Sequence, residues 1–490
     1  MDLLQLLSII PFYEKDKNID DITVRTLQID HRLVEEGDVF ICIRGHTVDG
    51  HTFAEEAVRK GAVAIVAEEP VNVDVPVIKV LDTSRVLPML ATHFYRYPTD
   101  DLQLIGITGT NGKTTITYIL EKIYQEFNKK TGVIGTIQVK IGDDSFPVKN
   151  TTPDALTLQR TFQRMRDAHV DTAIMEVSSH ALQLGRVHGA NFDIALFTNL
   201  SQDHLDFHTN MDEYFYAKSL LFSQLGNTFN QNEPKFSIIN IDDNYGEKLI
   251  NHSAQPVLTY GIEKDADIRA TDIKITMNAT SFRLHTPQGT IEVNSPLIGL
   301  FNVYNMLAAS AVAYASSIDL ATIKRSLENI SGVDGRFEKV NVDTDYATIV
   351  DYAHTPDSLE NVLKTVNEFV ENDVYVVVGC GGDRDKTKRP LMAEAATKLA
   401  DYAILTSDNP RTENPEMILS DMTKNLQTEN YEVIVDRKLA IEAAVNRATS
   451  GDIILIAGKG HETYQEINGE RIDFDDREIA KEAMINKENR

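Results

Sequence analysis

The sequence predicts an α/β protein of three domains: a central P-loop-type mononucleotide-binding parallel sheet, a C-terminal Rossmann-like domain and a smaller N-terminal α/β domain. Three observations carry the prediction. Residues 104–115, LIGITGTNGKTT, read as a buried strand, a glycine turn and the start of a helix. From about residue 100 to 333, and again from 334 to 490, short apolar runs alternate with helical patterns, as parallel sheets with crossover helices require. In both regions the apolar runs end in polar residues, and open parallel sheets bind ligands at the carboxyl ends of their strands.

A length of 490 residues sets a prior of about three domains. With 42% hydrophobic and 25% charged residues, the composition is that of a globular protein. A net charge of −26 argues against a nucleic-acid partner, and an anionic substrate must be met by local cations. Cys42 and Cys380 are too few and too far apart for a disulfide framework, which fits a reducing cytoplasm. The opening MDLLQLLSIIPFYEKD lacks a basic n-region and predicts an amphipathic helix rather than a signal peptide. No apolar run is long enough to span a membrane. A cytoplasmic monomer is the expectation.

In the first domain, residues 1–99, strand-like runs occupy 38–43, 62–67 and 75–80, with a helical pattern over 52–60. DHR (30–32) and GHTVDGH (45–51) are polar loop clusters that, taken alone, read as surface turns. A bend at 97–100 precedes the second domain, residues 100–333.

The strand at 104–107 leads into Gly109, Thr110, Asn111, Gly112, Lys113, Thr114 and Thr115. Ile116, Leu120, Ile123 and Phe127 then follow the spacing of one helix face. Glycines let backbone N–H groups close around an anion, and a helix N-terminus adds about half a positive charge. Lys113 is placed to meet β/γ-phosphates and Thr114 to ligate Mg²⁺. The spacing is the short G-x-x-G-K-T-T, because Ile107 stands where the first glycine of the longer phosphate-loop motif falls.

Residues 172–177 run into Glu176 and then Ser178-Ser179-His180. Residues 194–197 run into TNLSQDHLDFH with His204, and 236–239 into Asn240 and the Asp242-Asp243 pair. Three polar strand ends beside a phosphate loop argue for one site. Residues 211–225 read as a helix with Tyr214, Lys218, Leu221 and Phe222 on one side, where Lys218 alone is a snorkelling stem. Residues 264–295 alternate like antiparallel strands, an Ala-rich helix follows at 303–316, and GVDGRF makes a turn.

The third domain, residues 334–490, repeats the pattern of strands with polar ends: YATIVDYAH (Asp351, His354), VYVVVGCGGDRDK (Arg384), AILTSDNPR (408–411) and IILIAGKGHE (Gly458, Lys459, His461, Glu462). Glu176 and His204 beside the phosphate loop suit Mg²⁺, although imidazole is a soft ligand for it. Zinc would need a His/Cys cluster that is absent from the sequence, Ser178 and Ser179 lack a nucleophile elbow, and Cys380 reads as structural. The arginines and glycine turns of the third domain suit a small carboxylate-bearing ligand. ATP in one domain and a small acid in another point to phosphoryl transfer followed by acyl transfer.

Together these residues resemble the Mur ligase family over nearly the whole chain. GTNGKTT, NTTPD, MEVSSHAL, NLSQDHLDFH, AKSLLF, GRFE, DYAHTPDSLE, GCGGDRDKTKRP, SDNPR and GKGHE stand in family order. The resemblance implies three domains, for UDP, ATP and an incoming amino acid, and an acyl-phosphate intermediate. It implies nucleotide contacts from Gly109 to Thr115, Asn302, Arg336 and Asp351, and Mg²⁺ ligands at Thr114, Glu176 and His204. It implies CO₂-derived carbamylation of Lys218 as a further metal ligand, and, with Lys113, a catalytic group. His46, Thr47, Val48, Asn150, Thr151, Thr152, Ser178 and Arg186 match positions that hold the UDP-sugar peptide. Family members commonly read D-S-R where this chain has Asp30-His31-Arg32, so the serine contact to uracil is either lost or replaced by His31.

In the third domain Arg384, Asp408, Asn409, Pro410, Arg411, Gly458 and Glu462 match the amino-acid pocket. The DNPR form resembles that of diaminopimelate adders, whereas lysine adders of the family differ at the arginine. The implied substrates are UDP-N-acetylmuramoyl-L-alanyl-D-glutamate and meso-diaminopimelate, whose second carboxylate Arg411 can grip in a bidentate fork. L-Lysine as the amino acid, a folylpolyglutamate-synthetase-like ligase sharing the GTNGKT loop, and a nucleotide switch indifferent to amino acids are the alternatives.

Overall fold

The computed structural model describes residues 1–45, 48–205, 207–231, 234–276 and 279–489. Among them, three large sheets lie one after another along the chain. The first has five strands, in the order Glu14–Lys15, Val77–Lys79, Ala64–Ala67, Val39–Ile41 and Leu27–Gln28. All neighbours are parallel except the antiparallel edge strand Glu14–Lys15. The opening segment forms the expected short helix, Leu3–Leu7, with Asp2 accepting from the Gln5 N–H and Leu3, Leu6 and Leu7 buried. The predicted helix over 52–60 splits into a 3₁₀ turn, Gly50–Phe53, and an α-helix, Ala54–Arg59.

The central sheet has eleven strands. Gln103–Thr108 lies between Thr172–Glu176 and Ile194–Phe197, with Phe236–Asn240 and Val257–Gly261 continuing on one side and Thr131–Ile134 on the other. These six strands are parallel. Ile107 pairs with Glu176 on one side and Leu196 on the other, so three chains leave the sheet at one level. Helix Lys113–Glu126 buries Ile116, Ile119, Leu120 and Ile123 against Val303, Met306 and Leu307 of helix Leu300–Ala315. On the opposite face Phe162 and Met165 join Leu221 and Phe222 of helix Met211–Ser223.

The alternating stretch 264–295 folds as the antiparallel strands Ile268–Ile275, Thr280–Thr286 and Gly289–Ser295. It extends the central sheet instead of forming its own, because Ile268–Ile275 pairs with Val257–Gly261. A second antiparallel hairpin, Val139–Ile141 with Asp144–Phe146, closes the other edge. The sheet is therefore mixed, with parallel strands at its centre.

The third sheet runs Glu338–Lys339, Ala347–Asp351, Ile453–Ala457, Val374–Cys380, Tyr402–Ser407 and Tyr431–Val433, parallel apart from its first strand. Both faces are covered, which is why its central strands are apolar throughout. Among the described residues, no helix is long and apolar enough to cross a membrane.

Candidate active site

A cavity of about 940 Å³ opens between the carboxyl ends of the central and third sheets. Its floor is the phosphate loop. Gly109 has φ +144°, and a Cβ there would stand 1.8 Å from Thr198 Oγ1, so only glycine fits. That hydroxyl donates to the Asn111 carbonyl at 2.7 Å, while the Thr110 N–H donates to Asn199 O and the Asn111 N–H to Asn199 Oδ1, both at 2.9 Å. The neighbouring strand end thus holds the loop. Gly112, at φ +87°, caps helix Lys113–Glu126 and packs against Asn305 Oδ1.

Two lysines converge on one carbonyl. Lys113 Nζ donates to Gly109 O at 2.9 Å and Thr110 O at 2.8 Å, and Lys218 Nζ reaches Gly109 O at 2.8 Å from helix Met211–Ser223. Lys218 is 2% exposed and lies 4.5 Å from the centre of the Tyr214 ring. Burial depresses both amines, and the Lys113 charge depresses Lys218 further, well below an ordinary lysine.

Beside them, Glu176 is 1% exposed. Its Oε2 accepts from Thr114 Oγ1 at 3.1 Å and Thr136 Oγ1 at 3.0 Å, and its Oε1 from the Thr136 N–H at 2.9 Å. Arg336 crosses from the third domain and donates to Thr114 Oγ1 at 3.1 Å, with its guanidinium 4.4 Å from the Tyr352 ring. Asp351 receives the Phe337 and Ala353 N–H groups at 2.7 Å each, and burial raises its pKa against the pull of Arg336.

His204 has a left-handed backbone, φ +56°, and its Nε2 lies 3.4 Å from Asp203 Oδ2. One edge of its side chain stays open, 42% exposed, while the ring packs edge-on against His180 and Tyr214. Burial, outweighing the Asp203 charge and helped by Lys218, depresses the imidazole, which is neutral at pH 7 with a lone pair to offer. Thr114, Glu176 and His204 all line this cavity, where their oxygens and imidazole could hold a divalent cation.

Toward one end of the cavity, Thr152 Oγ1 donates to Glu176 O at 2.9 Å and accepts from the Ser178 N–H at 3.1 Å. Arg186 holds the Thr152 carbonyl at 3.1 Å, Thr151 Oγ1 lies 3.2 Å from Thr136 Oγ1, and Asn150 lies on the same wall. At the third-domain end, Arg384, Arg411, Asp408, Asn409, Gly458 and Glu462 line the wall. Arg411, with φ +51°, donates to the Gly382 carbonyl at 2.7 Å. Burial and Asp408 raise Glu462 above the usual carboxylate range.

Several predicted residues lie elsewhere. Asn302 does not line the cavity; it donates to Ile298 O and accepts from Asn305, which does. Pro410 lies behind the wall, its carbonyl where a Gly382 Cβ would be. Lys218 and Gly109 are beneath the surface. His31 and Val48 belong to the first domain and do not line this cavity, while His46 and Thr47 fall outside the described residues. The His31 ring stacks flat on Phe53 at 4.0 Å. Sequence reasoning passed over Thr136, Asp203, Asn305, Asp357 and Lys388, all of which line the cavity. Asn305 was findable, three residues beyond Asn302 on one helix face. Thr136 follows a short strand and carried no comparable signal.

Comparison with known proteins gives one consistent result. Residues 23–95 match the model described as "Mur ligase family, catalytic domain", 107–313 the "Mur ligase middle domain" and 335–460 the "Mur ligase, glutamate ligase domain". A curated protein of Oceanobacillus iheyensis, named UDP-N-acetylmuramoyl-L-alanyl-D-glutamate--2,6-diaminopimelate ligase, is 54% identical over 99% of this chain and 100% of its own. A Bacillus cereus protein of the same name is 55% identical over 95% of each. A solved structure titled with that name is 36% identical, covers 99% of both chains and superposes with a TM-score of 0.70.

Proposed function

The chain belongs to the Mur ligase family, and from that premise we propose that it is an ATP-dependent ligase of peptidoglycan precursor synthesis, joining meso-2,6-diaminopimelate to UDP-N-acetylmuramoyl-L-alanyl-D-glutamate. One observation carries the choice of amino acid. Arg384 and Arg411 share a wall with Asp408 and Glu462, a pairing of cations and anions suited to an amino-acid zwitterion remote from the reacting amine. Diaminopimelate has such an end and lysine lacks the second carboxylate. Sites built for a polar group reject its absence by roughly 10⁴–10⁵-fold.

Residues 1–99 are assigned to the nucleotide-sugar, 100–333 to ATP and 334–490 to the amino acid. Residues 109–115 hold the triphosphate through Lys113 and the N–H groups at the start of helix Lys113–Glu126, and Arg336 and Asp351 hold the nucleotide from the third domain. Thr114, Glu176, His204 and carbamylated Lys218 are the ligands assigned to Mg²⁺, which when bound neutralises charge on the transferring phosphoryl group. The depressed Lys218 amine supports this assignment, since only the neutral form adds CO₂. Thr152, Ser178 and Arg186 line the same cavity as the phosphate loop and are assigned to the peptide end of the acceptor. The stacked His31–Phe53 pair offers a flat face for uracil in place of a serine hydroxyl.

The γ-carboxylate of D-glutamate attacks the γ-phosphorus and ADP leaves. The amine of diaminopimelate then attacks the acyl carbon, loses a proton, and inorganic phosphate departs. Lys113 and Arg336 offset negative charge through the first step, and the third domain carries the amine to the acyl-phosphate. A monomer is the state assigned. The cytoplasm is the compartment assigned.

Phosphate release from ATP, Mg²⁺ and UDP-N-acetylmuramoyl-L-alanyl-D-glutamate tests the reading. Release is expected with meso-diaminopimelate and a matching tripeptide product, and not with L-lysine. Release with lysine alone would keep the ligase and overturn the use made of Arg411. Release indifferent to both would favour a nucleotide switch.

A further inference from the structure

We propose that Lys459 is the positioning residue of the amino-acid pocket: its buried ammonium locks the orientation of the Asn409 amide and keeps the Glu462 carboxylate available to a substrate ammonium. The proposal rests on the reading of this wall as the amino-acid site.

Lys459 is 0% exposed, an unusual place for a lysine, and it is not among the residues lining the cavity. Glycines bracket it, Gly458 at φ +118° and Gly460 at φ +53°, and the turn they make folds its side chain under the pocket wall. Its Nζ donates to Asn409 Oδ1 at 3.0 Å and to Glu462 Oε2 at 3.3 Å, and lies 5.5 Å from the Tyr464 ring centre. Asn409 Oδ1 also accepts the Glu466 N–H at 2.9 Å, and Asn409 Nδ2 donates to the same Glu462 Oε2 at 2.8 Å. A flipped Asn409 amide would set its NH₂ against two donors, so one orientation is fixed. Neither bond to Glu462 uses Oε1.

The groups facing Glu462 explain why a cation is needed there. Burial and Asp408 both work against its ionised form, and the hydroxyls of Tyr352 and Tyr464 are close enough to interact with it. Arg437 also faces it, but that guanidinium is committed to Asp476 at 2.8 and 2.7 Å. Lys459 and the Asn409 amide are what hold the proton off. An unpaired buried carboxylate would take up a proton and lose its attraction for an ammonium group.

The test uses Lys459→Met in the full-length protein. The wild type is first assayed with diaminopimelate and with lysine. The variant is then compared using whichever amino acid the wild type accepts, so a wrong substrate reading and a wrong role for Lys459 give different results. The expected result is a KM for that amino acid raised at least tenfold, with KM for ATP within twofold. The Kd of the amino acid, measured by calorimetry between pH 5 and 8 with a non-hydrolysable ATP analogue and the nucleotide-sugar peptide present, should weaken on acidification starting at a higher pH than in the wild type. Should Lys459→Met fail to fold, Lys459→Gln keeps a donor for Asn409 Oδ1, removes only the charge, and should show the same pH displacement. Unchanged amino-acid KM and pH dependence in the folded variant would overturn the proposal, as would equal losses for ATP and the amino acid.

Discussion

Lys218 shows how much a single side chain can be asked to do. Its amine is buried, hydrogen-bonded to the Gly109 carbonyl and crowded by Lys113. Because its pKa in the fold lies well below the ordinary 10.5, the unfolded chain binds the extra proton between those two values. Stability should therefore rise with pH across that window, and Lys218→Ala should flatten the slope in denaturant titrations. The same variant should lose ligation at least 100-fold and regain part of it with a short carboxylic acid that fills the vacated space. Full activity without the additive would sink the metal-ligand role. From sequence, Lys218 on an apolar stripe was indistinguishable from a snorkelling stem; only motif resemblance singled it out. Arg411, Lys459 and Glu462 were all readable as polar residues that follow apolar strands, but the burial of Lys459 was not. A sequence does not say which of two neighbouring charges turns inward.

At the scale of elements, the phosphate loop is held by the neighbouring strand end through Thr198 and Asn199. Gly109→Ala combines a disfavoured backbone conformation with a clash against Thr198 Oγ1. A loss of about 2–5 kcal/mol of stability is expected from those two causes together. Nucleotide affinity should fall more than tenfold, read by calorimetry with ADP. Normal affinity would mean that the loop can rebuild itself. The strand–turn–helix unit was legible because its apolar spacing, its glycines and its lysine agree. The hairpin from Val139 to Phe146 was not, because its strands are short and the outer one, Asp144–Phe146, is mostly solvent-facing. The alternation across 264–295 revealed strands but not their neighbours, since periodicity reports which face is buried and says nothing of which edge is joined.

Across the whole molecule, the cavity exists only because two sheets face each other. Asn111 Nδ2 in the phosphate loop donates to Asp357 Oδ2 at 3.0 Å, in the first turn of helix Pro356–Asn367, and Arg336 reaches Thr114 across the same gap. Asp357→Ala removes one of these links and leaves both cores untouched. It should lower kcat several-fold with a shift in unfolding temperature under about 2 °C, as expected for residues that govern closure. A large fall in unfolding temperature instead would make the contact structural. This scale was the least legible. Composition argued against a nucleic-acid partner and a membrane span, but nothing in the order of residues states how far apart two sheets stand.

The separation of the two ends of the cavity has a consequence for selection under drug pressure. A compound seated on Lys113, Glu176 and His204 would touch groups assigned to phosphoryl transfer itself, so a cell that altered them to escape would forfeit the reaction. A compound seated on Arg384, Arg411 and Glu462 would touch groups assigned to the choice of amine, and there a substitution would alter which amine is accepted without removing a phosphoryl-transfer group. Resistance should therefore arise at the third-domain wall far sooner than at the phosphate loop.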